Sequence, residues 1–252
     1  MTIALKGMYL FDRDIELLPY LHAVKVATYE QIKRDIYSNI CLHAVGNRLR
    51  KLHSNRLVRI EINRTYKQGR CHVSLLKQGF DGFVKKGTEL RLELRSDALQ
   101  HDLSLVDIRH CFKQSSQTVR YQTENEIQTW EDGFRAINSD ALVTSNLNGN
   151  TIAIPIEYES SLKKADRYEP FLKKYYLAEE YPIVILIADQ RGVMNTIIEL
   201  EKQLFNWDKP KFFYRLKQDL FADDALRFQN CHEATLDLGY RLPIVCLSST
   251  IS

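Results

Sequence analysis

The hydrophobic pattern near the start of the chain predicts three helices. From Asp12 to Val24, apolar residues recur every three or four positions, the spacing of a helix with one buried face. Thr28–Gln31 has the capping-box pattern, a Thr followed three residues later by a Gln, so a second helix is predicted to begin there. A third helix is predicted from about Leu42 to His53. Its inward-facing residues would be Val45, Leu49 and Leu52.

Two short extended segments follow, and together with the helices they indicate a winged helix. Leu57–Asn63 and Cys71–Leu76 read as strands, and the polar, basic stretch 64–70 joins them. In this arrangement the third helix enters the major groove and the tip of the loop reaches a neighbouring backbone or the minor groove. A winged-helix DNA-binding domain is therefore predicted for residues 1–90.

The distribution of charged residues, rather than the net charge, favours DNA binding by this domain. The 252 residues carry 35 basic and 32 acidic side chains, a net charge of +3. Between His43 and Arg70, however, eight basic residues stand against one acid, Glu61, as expected where a phosphate backbone lies. The predicted DNA contacts are Arg48, Arg50, Lys51, Arg56, Arg64, Lys67 and Arg70. The alternative is a helical domain with a solvated charged face.

A β-hairpin is predicted in the second half of the chain. Asn148-Gly149 is a favoured pair for a two-residue turn, because both positions need a positive φ. Residues whose numbers sum to 297 would then face each other. This register places one apolar set on one face of the hairpin, formed by Ile152, Ile154, Ile156 and Tyr158 with Val143 and Ala141.

The same register brings carboxylates together. Asp140 would lie opposite Glu157, with Cβ atoms about 4.5–5.5 Å apart, and Glu159 would follow on the same face roughly 7 Å further along. Like charges this close repel unless a cation lies between them, and hard oxygen donors favour Mg²⁺ or Mn²⁺. The alternative is that both glutamates face solvent on an edge strand and pair with nearby lysines.

Ser160 and Ser161 are good caps, so a helix is predicted to begin there with Lys163 and Lys164 in its first turn. A lysine beside a metal site stabilises charge that builds on phosphorus. Spacing favours Lys163 for this role, and Lys164 is the alternative. Further strands and a helix are predicted from apolar runs and complete a mixed sheet flanked by helices: strands 183–188, 212–216 and 242–247, and helix 193–205.

The order Asp140, Glu157-Tyr-Glu159, Lys163 resembles the PD-(D/E)xK restriction-endonuclease-like core. Ser139 stands where that family has proline, and Glu159 stands where it has lysine. A lysine displaced onto the following helix is a variation of that superfamily. The resemblance implies an α/β (α+β) fold with a nuclease domain over residues 91–252 and Lys163 as the catalytic lysine.

Further motifs resemble the replication-relaxation family, and within it the MobC-type conjugative relaxases. The motifs of that family found in this sequence are Leu99-Gln-His101-Asp102, Glu126 and Glu131 around Trp130, and Arg167-Tyr168. The resemblance implies a site-specific nickase that acts at a plasmid or mobile-element transfer origin. His101 would buttress the site or approach the scissile phosphate, and Glu126 would be an added metal ligand; the alternatives are a capping or packing histidine and a surface glutamate. The common relaxases use an HxH cluster, and none of the seven histidines here forms one.

The sequence thus predicts an Mg²⁺- or Mn²⁺-dependent DNA endonuclease. Its partners would be double-stranded and nicked DNA, with a homodimer or accessory mobilisation proteins as protein partners. The longest apolar run, 181–188, is too short to cross a bilayer, and no cationic leader is seen, so a cytoplasmic location is expected. Two alternatives stay open: a DNA-binding regulator or replication accessory protein whose nuclease-like domain is not catalytic, and a subunit that cuts only within a larger complex.

Overall fold

The computed structural model describes residues 3–5, 8–62, 71–84, 98–129, 137–205 and 210–240. Within these ranges nine helices and a seven-stranded mixed sheet confirm the predicted mixed α/β fold. The chain divides into two compact units. The first takes the chain up to Asp107 and a segment that begins at Thr123, and the second takes Ile108–Gln122 and the chain from 134 onwards. This division does not coincide with the boundary at residue 90 predicted from the sequence.

The first unit has the order of a winged helix. Its elements are β1 (Ile3–Leu5), β2 (Met8–Leu10), α1 (Asp12–Val24), β3 (Val26–Thr28), α2 (Tyr29–Asp35), α3 (Leu42–Ser54), β4 (Val58–Ile62), β5 (Cys71–Leu75) and α4 (Lys77–Phe83). Strand β5 lies between β3 and β4 and pairs antiparallel with both. The predicted wing loop, 64–70, falls outside the described residues.

Local sequence signals explain this unit well. The Thr28 hydroxyl accepts a hydrogen bond from the Gln31 amide at 3.2 Å, and the Gln31 side chain accepts one from the Thr28 amide at 3.0 Å, so the predicted capping box is formed. The core consists of apolar side chains from the four helices α1–α4 and from the three-stranded sheet. Fully buried members include Leu17, Leu21, Ile32, Leu49 and Val73.

The second unit is built on the large sheet. The elements after α4 are α5 (Leu99–Lys113), β6 (Thr118–Thr123), α6 (Glu124–Thr129), β7 (Ala141–Leu147), β8 (Asn150–Glu159), α7 (Ala165–Leu177), β9 (Val184–Ala188), α8 (Arg191–Leu204), β10 (Phe212–Leu216), α9 (Lys217–Ala222), β11 (Ala225–Asn230) and β12 (Thr235–Tyr240). Of these elements, α6 and the part of α5 up to Asp107 belong to the first unit. The strand order of the large sheet is β12-β11-β10-β9-β8-β7-β6. Strands β8, β9 and β10 run parallel, whereas β7 pairs antiparallel with β8. The predicted strand at 242–247 lies outside the described residues.

Strand β9 is buried at every position, as its continuous apolar sequence predicts. At the far end of the sheet, Gly239 has φ 83°, and a Cβ there would lie 2.5 Å from the Ser116 hydroxyl. Only glycine therefore allows β12 to approach the segment before β6, where the Ser116 amide donates to the Tyr240 carbonyl at 3.1 Å. This hydrogen bond joins β12, at one edge of the sheet, to the segment before β6, the strand at the other edge.

The helix predicted to begin at Ser160-Ser161 was placed too early. Helix α7 begins at Ala165, so Lys163 and Lys164 precede it. The Lys163 amide donates to the Tyr168 hydroxyl at 3.0 Å, so a side chain from within the helix holds the segment before it.

Two further findings concern the described part of the chain. None of its helices is long and apolar enough to cross a membrane. Its four cysteines, Cys41, Cys71, Cys111 and Cys231, are free thiols.

Candidate functional site

The β7–β8 hairpin has the register that the sequence predicts. Ala141 pairs with Ile156 and Val143 with Ile154, so paired residue numbers sum to 297. The turn residues Asn148 and Gly149 have φ values of 50° and 82°, as a two-residue turn of this type requires. The apolar face is buried as expected. The hairpin therefore places Asp140, one residue before β7, opposite Glu157.

Asp140 is held in place by a hydrogen bond from the backbone of β8 and by the bend that precedes β7. One of its carboxylate oxygens accepts a hydrogen bond from the Tyr158 amide at 2.8 Å. The preceding Ser139 is buried, and its hydroxyl donates to the Ala141 carbonyl at 2.8 Å, which fixes the bend into the strand. The carboxylate is half-buried beside β8.

Glu157 lies on the face of β8 that α7 covers. The Tyr175 hydroxyl donates a short hydrogen bond to one of its carboxylate oxygens. Burial, and then the charge of Asp140, raise the pKa of Glu157 well above its usual value, and Glu159 adds to this while Tyr175 and Lys163 oppose it. The two facing carboxylates thus repel each other in a site where water solvates them poorly.

Glu159 has a different environment, because both of its oxygens are engaged. One contacts the Lys163 ammonium group in a short ion pair, and the other accepts a hydrogen bond from the Tyr168 hydroxyl at 3.0 Å. Lys163, rather than Lys164, is therefore the lysine that reaches this cluster. Lys164 is exposed at the N-cap of α7.

The prediction that three carboxylates ligate one cation is not supported by this geometry. Among the described residues, no group of three His, Cys, Asp or Glu side chains is arranged to hold a metal ion. The physical reason is that Lys163 and Tyr168 satisfy Glu159. Asp140 and Glu157 face each other across the hairpin, and a cation between them would relieve their mutual repulsion.

His101 and Glu126 belong to the first unit, whereas the hairpin belongs to the second. A Glu126 oxygen accepts hydrogen bonds from the Thr123 amide at 2.9 Å and the Thr123 hydroxyl at 3.2 Å, which caps α6. His101 lies in the first turn of α5, with its ring 3.8 Å from the Asp102 carboxylate. The structure therefore gives Glu126 a capping role, and it places both residues in a different unit from the acidic hairpin.

Among the predicted DNA contacts, Arg48 has an internal role. Its Nε donates to the fully buried Asp14 carboxylate at 2.8 Å, and its terminal nitrogen makes short contacts with Asp14 and the Tyr9 carbonyl. The guanidinium also lies 4.8 Å above the Phe11 ring. Only 15% of this side chain is exposed, so we correct its assignment from phosphate contact to internal ion pair.

The other basic residues of α3 and the turn after it face outward. Arg50 and Lys51 are exposed on α3, a helix without any acidic residue, and Arg56 is exposed with φ 58° just beyond it. Asn47 shares the exposed face and accepts a hydrogen bond from Arg50 at 2.7 Å. Arg64, Lys67 and Arg70 lie outside the described residues. The described face is therefore polar and basic, with donors suited to a nucleic-acid backbone.

Sequence reasoning missed the role of Tyr175. The available signal was that Tyr168, Leu172 and Tyr175 recur at helical spacing, which predicts burial. A buried tyrosine hydroxyl needs a partner, and the acidic strand β8 lies immediately before this helix in the sequence. Which carboxylate each hydroxyl reaches follows only from the packing of α7 on the sheet.

Comparisons with family models, curated proteins and solved structures find no match to this chain.

Proposed function

We propose that this protein is a metal-dependent DNA endonuclease, most simply a site-specific nickase of the relaxase type that acts at a mobile-element transfer origin. The observation that carries the proposal is the opposition of Asp140 and Glu157 at the start of an antiparallel hairpin, with Lys163 beside them. The element order α5-β6-α6-β7-β8-α7-β9, with β9 parallel to β8, supports the resemblance to a PD-(D/E)xK core.

The residues present fit a hard divalent cation. Mg²⁺ is commonly bound by one or two carboxylates, with waters and substrate phosphate oxygens completing its coordination. Asp140 and Glu157 supply two such carboxylates, and no thiolate or histidine pair competes with them among their described contacts. When bound, the ion would supply Lewis-acid polarisation of a phosphate oxygen and a more acidic water.

The other residues have roles that follow from their contacts. Glu159 holds Lys163, and the ammonium group of Lys163 would stabilise negative charge on the phosphate that is attacked. The winged-helix unit would bind duplex DNA through α3. Cleavage and DNA binding are thereby assigned to different units of one cytoplasmic protein, with double-stranded and nicked DNA as its ligands.

The neighbouring lysines provide a matched test of the catalytic group. Lys163→Ala is expected to lower the cleavage rate on the order of 10²-fold, the cost of removing one donor that stabilises a developing charge. Lys164→Ala removes the same charge one residue further on and should retain a rate close to that of the wild type. The rates are measured by conversion of supercoiled plasmid to the open-circular form. Equal losses in both variants would contradict the assignment of Lys163.

The exposed basic face of α3 predicts a salt-dependent effect. Arg50→Ala and Lys51→Ala are each expected to weaken duplex binding and to reduce the slope of log affinity against log salt by about one for each phosphate that the protein no longer neutralises. Binding is measured by fluorescence anisotropy at several salt concentrations. Glu30→Ala, at an exposed acidic position on α2, serves as the control and should not reduce the slope.

The same basic face favours a second candidate function, a DNA-binding regulator with a non-catalytic second unit. One experiment separates the candidates: supercoiled DNA that carries the neighbouring intergenic region is incubated with the protein, with and without Mg²⁺ or Mn²⁺. Nicking that requires the metal supports the endonuclease. Tight DNA binding without metal-dependent cleavage, and without binding of Mn²⁺ by the protein, supports the regulator.

A further inference from the structure

Two tyrosines of α7 contact the two glutamates of β8. Tyr168 and Tyr175 are seven residues apart, which places them on the same face of the helix two turns apart. Both rings are buried, with exposed fractions of 3% and 1%, and Leu172 is fully buried between them. Because the rings are fixed by packing, their phenolic oxygens have little freedom of position.

Each hydroxyl reaches a different carboxylate. Tyr175 donates to Glu157, and Tyr168 donates to Glu159 while it accepts from the Lys163 amide. Burial and then the adjacent glutamate charge raise the pKa of Tyr175. Burial, with Glu159, also raises the pKa of Tyr168. In this geometry both hydroxyls serve as hydrogen-bond donors to carboxylates.

We propose that Tyr175 and Tyr168 are positioning residues that set two separate properties of the proposed nuclease. Tyr175 orients the Glu157 carboxylate towards Asp140, and so governs affinity for the cation. Tyr168 orients Glu159, and through it Lys163, and so governs the rate once the cation is bound. The inference rests on the proposed function, since it assigns roles within the same site.

The two roles predict different effects on Mn²⁺ affinity and on the cleavage rate at saturating Mn²⁺. Tyr175→Phe keeps the ring but removes the hydroxyl, and it is expected to weaken Mn²⁺ binding about 10- to 100-fold, as is typical when a partner that orients a metal ligand is removed. Tyr168→Phe is expected to leave Mn²⁺ affinity within about 2-fold of the wild type, because Glu159 is engaged by Lys163. It should instead reduce the rate at saturating Mn²⁺ on the order of 10-fold.

The chain offers a matched control at the adjacent position. The Tyr176 hydroxyl donates to the buried Glu201 carboxylate of α8 at 2.7 Å, and not to either glutamate of β8. Tyr176→Phe thus removes a similar hydrogen bond between a phenol and a carboxylate without touching Glu157 or Glu159. It should change stability but neither Mn²⁺ affinity nor the cleavage rate.

The experiment is a calorimetric titration of the full chain with Mn²⁺ alone, for the wild type and the three Phe variants, followed by plasmid cleavage at saturating Mn²⁺. The expected result is a loss of affinity in Tyr175→Phe only and a loss of rate at saturation in Tyr168→Phe. Glu159→Gln provides a second probe and should behave like Tyr168→Phe. Unchanged affinity in Tyr175→Phe, or equal affinity losses in all three Phe variants, would overturn the inference while the proposed function stands. A wild-type protein that binds no Mn²⁺ would overturn both.

Discussion

Glu157→Gln is expected to abolish metal-dependent DNA cleavage while it makes the metal-free protein more stable. Cleavage should fall because an amide replaces one of the two carboxylates proposed to hold the cation. Lewis-acid stabilisation is worth several kcal/mol, so a loss of at least about 10³-fold is expected, at 1.36 kcal/mol for each factor of ten. The rate is measured by conversion of supercoiled plasmid at saturating Mn²⁺.

Glu157→Gln is expected to raise the stability of the metal-free protein although it abolishes cleavage. The reason is that the wild-type site holds two poorly solvated like charges. At a separation of 4 Å, two unit charges interact by roughly 1–4 kcal/mol between bulk water and a protein surface. Relief of about 1 kcal/mol raises the melting temperature of a protein of this size by about 2–4 °C. Differential scanning calorimetry without divalent metal should show this increase for Glu157→Gln.

The stability difference should also depend on pH in a defined direction. Burial and then Asp140 raise the pKa of Glu157, so folding favours the protonated carboxyl. The stability that the wild type gains from protonated Glu157 is fully present below the ordinary carboxyl pKa. It is lost as the pH rises through the raised pKa of Glu157 in the folded protein. The melting-temperature advantage of Glu157→Gln over the wild type is therefore expected to be small at low pH and to increase towards alkaline pH.

Glu199→Gln is the control for both properties. Glu199 lies on α8 with its side chain 64% exposed, and its replacement should change neither cleavage nor the pH dependence of melting. A Glu157→Gln protein that lost activity and stability together would indicate a structural role for Glu157. One that still cut DNA at the wild-type rate would remove the catalytic proposal.

The second large effect is expected in the first unit. Asp14 is fully buried and accepts hydrogen bonds from the Phe11 amide at 2.6 Å, the Tyr37 hydroxyl at 2.8 Å and Arg48. Asp14→Ala would leave the guanidinium of Arg48 without its anion, and removal of one partner of a buried ion pair typically costs about 3–5 kcal/mol. Chemical denaturation followed by circular dichroism should show a loss of this size.

The control lies on the same helix. Glu16 is exposed on α1, and Glu16→Ala should change the unfolding free energy by no more than about 0.5 kcal/mol. If Asp14→Ala were equally mild, the internal role of Arg48 would be contradicted and a DNA contact for Arg48 would again be reasonable. A double change to apolar residues, Asp14→Leu with Arg48→Met, is expected to recover part of the loss.

Features encoded by local sequence were predicted well. The start of α2 followed from the reciprocal Thr28–Gln31 pattern, and the register of the β7–β8 hairpin followed from Asn148-Gly149 together with the alternation of isoleucines. In each case a few adjacent residues determine the geometry through their own hydrogen bonds or backbone conformation. The opposition of Asp140 and Glu157 was therefore accessible from sequence alone.

Features that depend on distant partners were missed. Arg48 contacts Asp14 across 34 positions of sequence, and no local pattern separates it from the exposed basic residues beside it. The Tyr168 hydroxyl accepts a hydrogen bond from the Lys163 amide just before α7 begins at Ala165, and Glu159, which the pattern had counted as a ligand, pairs with Lys163. Tertiary packing decides these contacts, so they could not be read from spacing.

The most direct measurement is an anomalous difference map from crystals of the full chain soaked with Mn²⁺. We expect a single strong peak between the Asp140 and Glu157 carboxylates, at about 2 Å from an oxygen of each, and no peak there in Glu157→Gln crystals. A fully occupied Mn²⁺ ion bound elsewhere, with none between these two side chains, would contradict the claim that this hairpin is a metal-dependent catalytic site.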